Sequence, residues 1–189
     1  IAAEGLSLTA VDGNKVALIE VNCETDFVCA NADFKALLNK IAKAIVTNNP
    51  ADMDAANALV VEDGQTIADL VVAATAKIGE KISFRRFVVL TKEDDEVFGT
   101  YLHAGGKKGA VVVVKGEEEA ASNIAMQLVA TVPTYIRKSE VPTEYVEKLV
   151  DFDLSEKFID KYFSSDDLDT WRKTLDFGEC KQEIARNSI

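Results

Sequence analysis

The segment Val11-Asp12-Gly13-Asn14-Lys15-Val16-Ala17 can be laid over Ala104-Gly105-Gly106-Lys107-Lys108-Gly109-Ala110. Gly13 then falls on Gly106, Lys15 on Lys108, Ala17 on Ala110 and, further along, Val21 on Val114. Each segment is a glycine-bearing turn between apolar, β-branched runs, the pattern of a β-hairpin. In each half the hairpin is followed by helical periodicity. A lone hairpin cannot bury its apolar face and needs a helix or a further sheet laid on it, so a chain that repeats this order has few architectures open to it. The sequence therefore predicts an α+β fold of two similar subdomains, residues 1–92 and 93–150, each an antiparallel hairpin-based sheet packed with helices. A helical tail over 151–189, with no role assigned, follows them.

Within the first half, Leu6 to Thr9 and Val16 to Val21 are the expected strands. Asn31 is placed to cap a helix in which Phe34, Leu37, Leu38, Ile41 and Ile45 recur at helical spacing, with Asn48-Asn49-Pro50 ending it. A second helix starts at Thr66, with Asp69 three residues on as in a capping box, and stops at Gly79. Residues 82–90 read as a third strand. In the second half, Val97 to His103 and Gly109 to Val114 form the hairpin, and Ala121, Ile124, Ala125, Leu128 and Val129 mark one helix face that Pro133 closes. No strong strand follows, so the second half is expected to lack a counterpart of the third strand. From Thr143 to the end the spacing is helical, which predicts two or three short helices, and Trp171 is most simply a core or inter-helix anchor.

The net charge of −11, from 21 basic and 32 acidic residues, opposes a polyanionic backbone, so direct nucleic-acid binding is not expected. Such a surface can steer a complementary basic protein patch. Cys23, Cys29 and Cys180 are an odd number without a close CxxC pair, which argues against a disulfide framework or a zinc ribbon and for a reducing compartment. No apolar run reaches the ~20 residues a membrane helix needs. Ile1 opens within what reads as folded sequence, without a charged-then-apolar leader, so a soluble protein with a start upstream is expected.

Between a buried-type strand and a helix lies Glu20-Val21-Asn22-Cys23-Glu24-Thr25-Asp26-Phe27-Val28. Read from the residues alone, two accounts compete: a projecting acidic loop with an aromatic at its tip, or a turn capped by Thr25 or Asp26 with Phe27 tucked into the core. Gly105-Gly106-Lys107-Lys108-Gly109 lacks the GxxxxGK[ST] spacing and lies inside a hairpin, so a lysine-flanked turn accounts for it better than a phosphate cradle. His103 is the only histidine, and an enzyme would have to use it with a partner such as Asp26 or a cysteine that nothing in the sequence places beside it. Glu117-Glu118-Glu119 suits the first turn of a helix without any metal, and no His/Cys cluster offers a transition-metal site. No cofactor is implied.

The nonapeptide Glu20 to Val28 closely resembles the signature of the elongation factor Ts family, in which a TDFV loop inserts into the GTPase elongation factor Tu. Further landmarks stand in the family's order: Ala2-Ala3-Glu4-Gly5, Ala76-Lys77-Ile78-Gly79-Glu80, Arg85-Arg86, Tyr101-Leu102-His103 before the glycine-rich turn, and Asn123-Ile124-Ala125-Met126-Gln127 with Pro133. The likeness covers roughly residues 1–150. It implies two α+β subdomains, in agreement with the repeat, and guanine nucleotide exchange by binding, without covalent chemistry, in a bacterial cytoplasm or an organellar matrix.

Carried over by position, Thr25, Asp26, Phe27 and Val28 stand where the family's inserting loop stands, near the Mg²⁺ and phosphate region of the GTPase. His103 stands at a contacting histidine, and Gly105, Gly106 and Gly109 shape its turn. Cys29-Ala30 departs from the small-then-basic pair often found after the loop. The family usually begins with a small three-helix module, and this chain starts after the place where that would end. Residues 151–189 match no family landmark and are expected to be peripheral to exchange. A GTPase-binding scaffold or degraded paralogue without exchange activity is the alternative.

Overall fold

The computed structural model describes residues 4–61, 64–135 and 140–144 and the backbone of strand 181–186. The fold is α+β, with two antiparallel three-stranded sheets. Sheet one has the order β1 (Glu4–Asp12), β2 (Lys15–Cys23), β3 (Ser83–Thr91). β1 and β2 pair from Glu4↔Cys23 to Asp12↔Lys15, which leaves only Gly13 and Asn14 in the turn, with Gly13 at φ +56°. A two-residue connection of this kind favours a positive φ, hence the glycine. Sheet two has the order β4 (Glu96–His103), β5 (Lys108–Lys115), β6 (Lys181–Arg186).

β6 corrects the expectation that the second half has no third strand. It runs antiparallel to β5 from Lys108↔Arg186 to Val113↔Lys181, as β3 runs along β2. Residues 181–186 are thus extended, not helical. Their pairing satisfies the backbone groups of an otherwise open edge of β5, a demand of the backbone that any sequence can meet. The helices expected between Thr143 and Leu175, Trp171 and the remainder of the 151–189 tail lie outside the described residues, apart from the helical residues Thr143 and Glu144.

Between β2 and β3 come α1 (Asp26–Ala30), α2 (Ala32–Asn48), α3 (Met53–Asn57) and α4 (Ile67–Ile78). Asn31 caps α2 through its side chain, accepting from the backbone N–H groups of Asp33 at 2.7 Å and Phe34 at 3.4 Å, and Asn49 ends it in the left-handed conformation at φ +46°. The Thr66/Asp69 capping box and Gly79 at φ +82° bound α4 as read. α5 (Glu118–Thr131) follows β5.

The strand period of two sorts β2 between two cores. Ala17, Ile19, Val21 and Cys23 join Phe34, Leu37, Leu38, Ile41 and Ile45 of α2 in one cluster. Val16 and Leu18, on the opposite face, meet Val111 of β5 with Val88, Leu90, Phe98 and Leu102 around them. Ala110, Val112 and Val114 turn the far side of sheet two to Ala121, Ala125, Leu128 and Val129 of α5. The layers are therefore helices, sheet, sheet, helix. Each large side chain buried in them contributes about 1.5–3 kcal/mol over exposure. At Gly99 a Cβ would lie 2.1 Å from the carbonyl oxygen of Ala121, so α5 rests on β4 where only glycine admits it.

The described residues up to Thr131 and strand β6 belong to one compact unit.

Candidate functional site

Strand β2 ends at the site. Its last turn of chain carries Glu20, fully buried, with its Oε2 2.6 Å from Arg86 Nε and its Oε1 3.8 Å from Arg85 Nε. A bulge in the β2–β3 register between Glu20 and Val21 brings two successive arginines of β3 to one carboxylate. Asn22 donates from Nδ2 to Glu20 Oε1 and to the Glu4 carbonyl, both at 3.3 Å. The strand that precedes the loop is thus held by polar pairing as well as by packing.

The loop itself is the short helix α1, entered at Thr25. Thr25 sits at the N-cap, but its side chain does not cap the helix. Its Oγ1 donates to Glu80 Oε1 at 2.6 Å, and its backbone N–H donates to Glu80 Oε2 at 3.0 Å. Glu80 follows the Gly79 that stops α4, so the end of one helix clamps the start of another. Asp26 opens α1 and is exposed.

Phe27 is 84% exposed, whereas Val28 at 5% and Cys29 at 7% lie in the core with α2. Of the two accounts open to the residues alone, the structure excludes the core placement of Phe27. Val28 instead fixes the helix from beneath.

Cys23 lies under this turn, its Sγ donating to the Thr25 carbonyl at 3.2 Å and standing 3.6 Å from Cys29 Sγ. Burial, then the contact with Cys29 and the charge of Glu80, push the Cys23 thiol up to about 12.

The second hairpin supplies the other part. His103 ends β4 exposed, its Nδ1 3.3 Å from the Tyr101 hydroxyl and the two rings tilted with centroids 6.2 Å apart. A single 3₁₀ turn, Ala104–Gly106, follows. Gly105 takes φ +68° and is exposed. Gly106, at φ +103°, is buried where a Cβ would meet the Ser7 carbonyl oxygen at 2.6 Å. Gly109 is buried too, with Leu102, Leu18 and Ser7 all within 3.3 Å of where its Cβ would be.

Lys107 joins the two parts. From the hairpin turn its Nζ donates to Glu4 Oε2 and, at 3.5 Å, to Cys29 Sγ of α1. Burial works against its charge, but the hydrogen bond to Glu4 and the Cys29 sulfur hold its pKa above the usual lysine value. The turn after His103 and the helix that bears Phe27 are in this way tied to one another. Glu80 and Lys107 are the residues whose roles the sequence did not disclose. Their partners lie 55, 78 and 103 positions away, beyond any local signal.

The site has an exposed aromatic, Phe27, and an exposed carboxylate, Asp26, on one turn, and an exposed imidazole, His103, before the hairpin turn that Lys107 ties to it. Among the described residues no group of three or more His, Cys, Asp or Glu side chains could hold a metal ion. No helix among them is long and apolar enough to cross a membrane.

Residues 24–166 match the family model described as "Elongation factor TS". Elongation factor Ts of Lacticaseibacillus casei is 48% identical over 152 residues, which cover 80% of this chain and 52% of that protein. The Leuconostoc mesenteroides protein of the same name is 46% identical, covering 78% and 51%, and that of Streptococcus pyogenes 46%, covering 78% and 43%. The chain spans about half the length of the curated relatives it matches.

Proposed function

Because the chain belongs to the elongation factor Ts family, we propose that it binds the GTPase elongation factor Tu in its GDP form and speeds GDP release, so that GTP can rebind. The observation that carries this is Phe27: a phenylalanine 84% exposed, on a helix in which the next two residues are buried and the N-cap residue, Thr25, is clamped by Glu80. A large apolar side chain kept in water on a rigid mount loses that unfavourable hydration when a pocket receives it.

GTPases hold their nucleotide through backbone amides at the phosphates and through Mg²⁺. Phe27 is the wedge that enters near that region, Asp26 perturbs the polar network there, and His103 makes a second contact from the β4–β5 turn. Thr25 and Val28 hold the wedge, Gly106 and Gly109 let the second hairpin close tightly against β1, and Gly105 supplies the positive φ of its turn. Exchange then follows from linkage. Whatever factor separates the affinity for the empty GTPase from that for the GDP form also weakens GDP. A difference of about 5.5 kcal/mol corresponds to ~10⁴-fold. The compartment of this activity is the cytoplasm of a bacterium or the matrix of an organelle.

The test is release of a fluorescent GDP from elongation factor Tu, with catalytic amounts of the chain added. Faster release supports the proposal, and a rate unchanged at saturating protein overturns it. Tight binding with no acceleration is the signature of a scaffold without exchange activity.

A further inference from the structure

Two thiols are buried under the turn that presents Phe27. Cys23 ends β2 at 0% exposure, Cys29 sits on α1 at 7%, and their sulfurs are 3.6 Å apart, both directed toward the carbonyl oxygen of Thr25 at 3.2 and 4.0 Å. Free thiols in sulfur–sulfur contact need to approach by only about 1.5 Å to reach the ~2.05 Å of a disulfide. The cation at one of them is Lys107, whose Nζ lies 3.5 Å from Cys29 Sγ.

We propose that Cys23 and Cys29 are a site of reversible disulfide formation by a hydroperoxide, and that closing the pair disables the Thr25–Val28 turn. The pair itself stands on the geometry, and its consequence for exchange rests on the function proposed above.

Cys29 reacts first, since it is the less buried of the two and charge developing on its sulfur meets the Lys107 ammonium. Its sulfur attacks one peroxide oxygen and the O–O bond breaks. The thiol proton leaves on the other oxygen as water, or as an alcohol from an organic hydroperoxide, and Cys29 becomes a sulfenic acid. Cys23 then attacks Cys29 Sγ. The S–S bond forms, the S–O bond breaks, and the departing hydroxide takes the Cys23 proton as a second product water. Two thiols are oxidised and one peroxide is reduced. The burial that keeps Cys23 protonated is offset by a partner already at attack distance.

Closure has two structural effects. The disulfide carries no S–H, so the Thr25 carbonyl loses the donor it has at 3.2 Å. Drawing Cys29 Sγ toward Cys23 pulls it from Lys107 Nζ, already 3.5 Å away, which loosens the tie between α1 and the hairpin turn after His103. Both effects fall on the elements that present Phe27 and His103.

The experiment uses a Cys180→Ser chain, which leaves Cys23 and Cys29 as its cysteines. Half is treated with hydrogen peroxide, half is kept reduced, and both are desalted so that the GTPase never meets the oxidant. After denaturation and alkylation, the tryptic peptide Val16 to Lys35 holds both cysteines. In the treated sample it is expected unalkylated and two hydrogens lighter, and alkylatable again after dithiothreitol. Two alkylated cysteines, or a sulfinic acid at Cys29 beside an alkylated Cys23, overturns the site.

In the GDP-release assay the oxidised chain is expected to be roughly tenfold slower than the reduced one, with recovery after dithiothreitol. A Cys29→Ala chain should show no difference between its own treated and untreated halves. A closed pair with an unchanged release rate overturns the consequence. A reduced chain that gives no acceleration overturns the exchange reading alone, because the peptide mass reports the disulfide independently.

Discussion

Replacing Phe27 by alanine separates binding from folding. A buried phenylalanine truncated to alanine costs about 3–5 kcal/mol of stability. Phe27 is 84% exposed, so the truncation removes few native contacts and should alter stability by no more than about 0.5 kcal/mol. The same exposure sets what a partner can gain. A phenylalanine offers ~150–200 Å², of which 84% is still in water, so full burial in a pocket yields at most ~3–4 kcal/mol at ~25 cal/mol per Å². Ordering and imperfect fit reduce this to ~2 kcal/mol, or ~30-fold in affinity. Phe27→Ala should therefore slow GDP release from elongation factor Tu by ~30-fold at subsaturating protein, with its thermal unfolding unchanged. A melting temperature lowered by many degrees would return Phe27 to the core. An unchanged release rate with intact folding would remove it from the interface, and with it the observation on which the proposed function rests.

His103→Ala should weaken the complex by a few-fold to about tenfold, read by titration against elongation factor Tu, without loss of stability, since the ring is exposed and its contact is Tyr101. Glu80→Ala removes both bonds to Thr25 and should slow exchange although Phe27 is intact. Gly99→Ala drives a Cβ to 2.1 Å from the Ala121 carbonyl oxygen and should cost about 1–3 kcal/mol or more in denaturant unfolding, because backbone on both sides has to move. Thr66→Ala breaks the α4 capping box and should cost about 0.5–2 kcal/mol near neutral pH. The Thr66 hydroxyl and backbone N–H hold the Asp69 carboxyl below the usual 3.8, so the carboxylate's share of the contribution is present above that value and is lost as pH falls through the lower, folded one, while the bond from the Asp69 N–H to Thr66 Oγ1 stays. The gap between parent and variant should accordingly narrow in acid unfolding titrations.

What could be read from the sequence was what local chemistry decides. Asn31 and Asn49 bracket α2, Thr66, Asp69 and Gly79 bracket α4, and Gly13 and the 105–109 glycines mark the turns, because caps and positive φ act within a few residues. β6 was missed for the opposite reason. Lys-Gln-Glu-Ile-Ala-Arg has a single β-branched residue, and its strand character comes from the free edge of β5, some seventy positions earlier in the chain. α1 has five residues, too few to show a helical period. Phe27 was undecided from its neighbours because exposure depends on which of Phe27, Val28 and Cys29 the core of α2 accepts, and the backbone of α1 makes that choice.

On the proposed reading, the position of the site within the repeat suits nucleotide exchange. β2 and β5 are the central strands of their sheets, and the two sheets stack through Val16, Leu18 and Val111. The loop leaving β2 and the turn entering β5 are thereby carried on one rigid core, and Lys107 ties them at the surface. A wedge that yields gives its binding energy back as its own distortion. One mounted on a packed core transmits that energy to the partner. On the proposed reading, Phe27 and His103 can hold the GTPase at two points fixed relative to each other, and a GTPase that changes shape around its nucleotide cannot satisfy both in its GDP form and in its empty form equally well. That inequality is the differential affinity that linkage requires. It follows that loosening the mount, by Glu80→Ala or by closing Cys23 on Cys29, should reduce exchange more than it reduces binding, because a compliant wedge can follow the GTPase into either form.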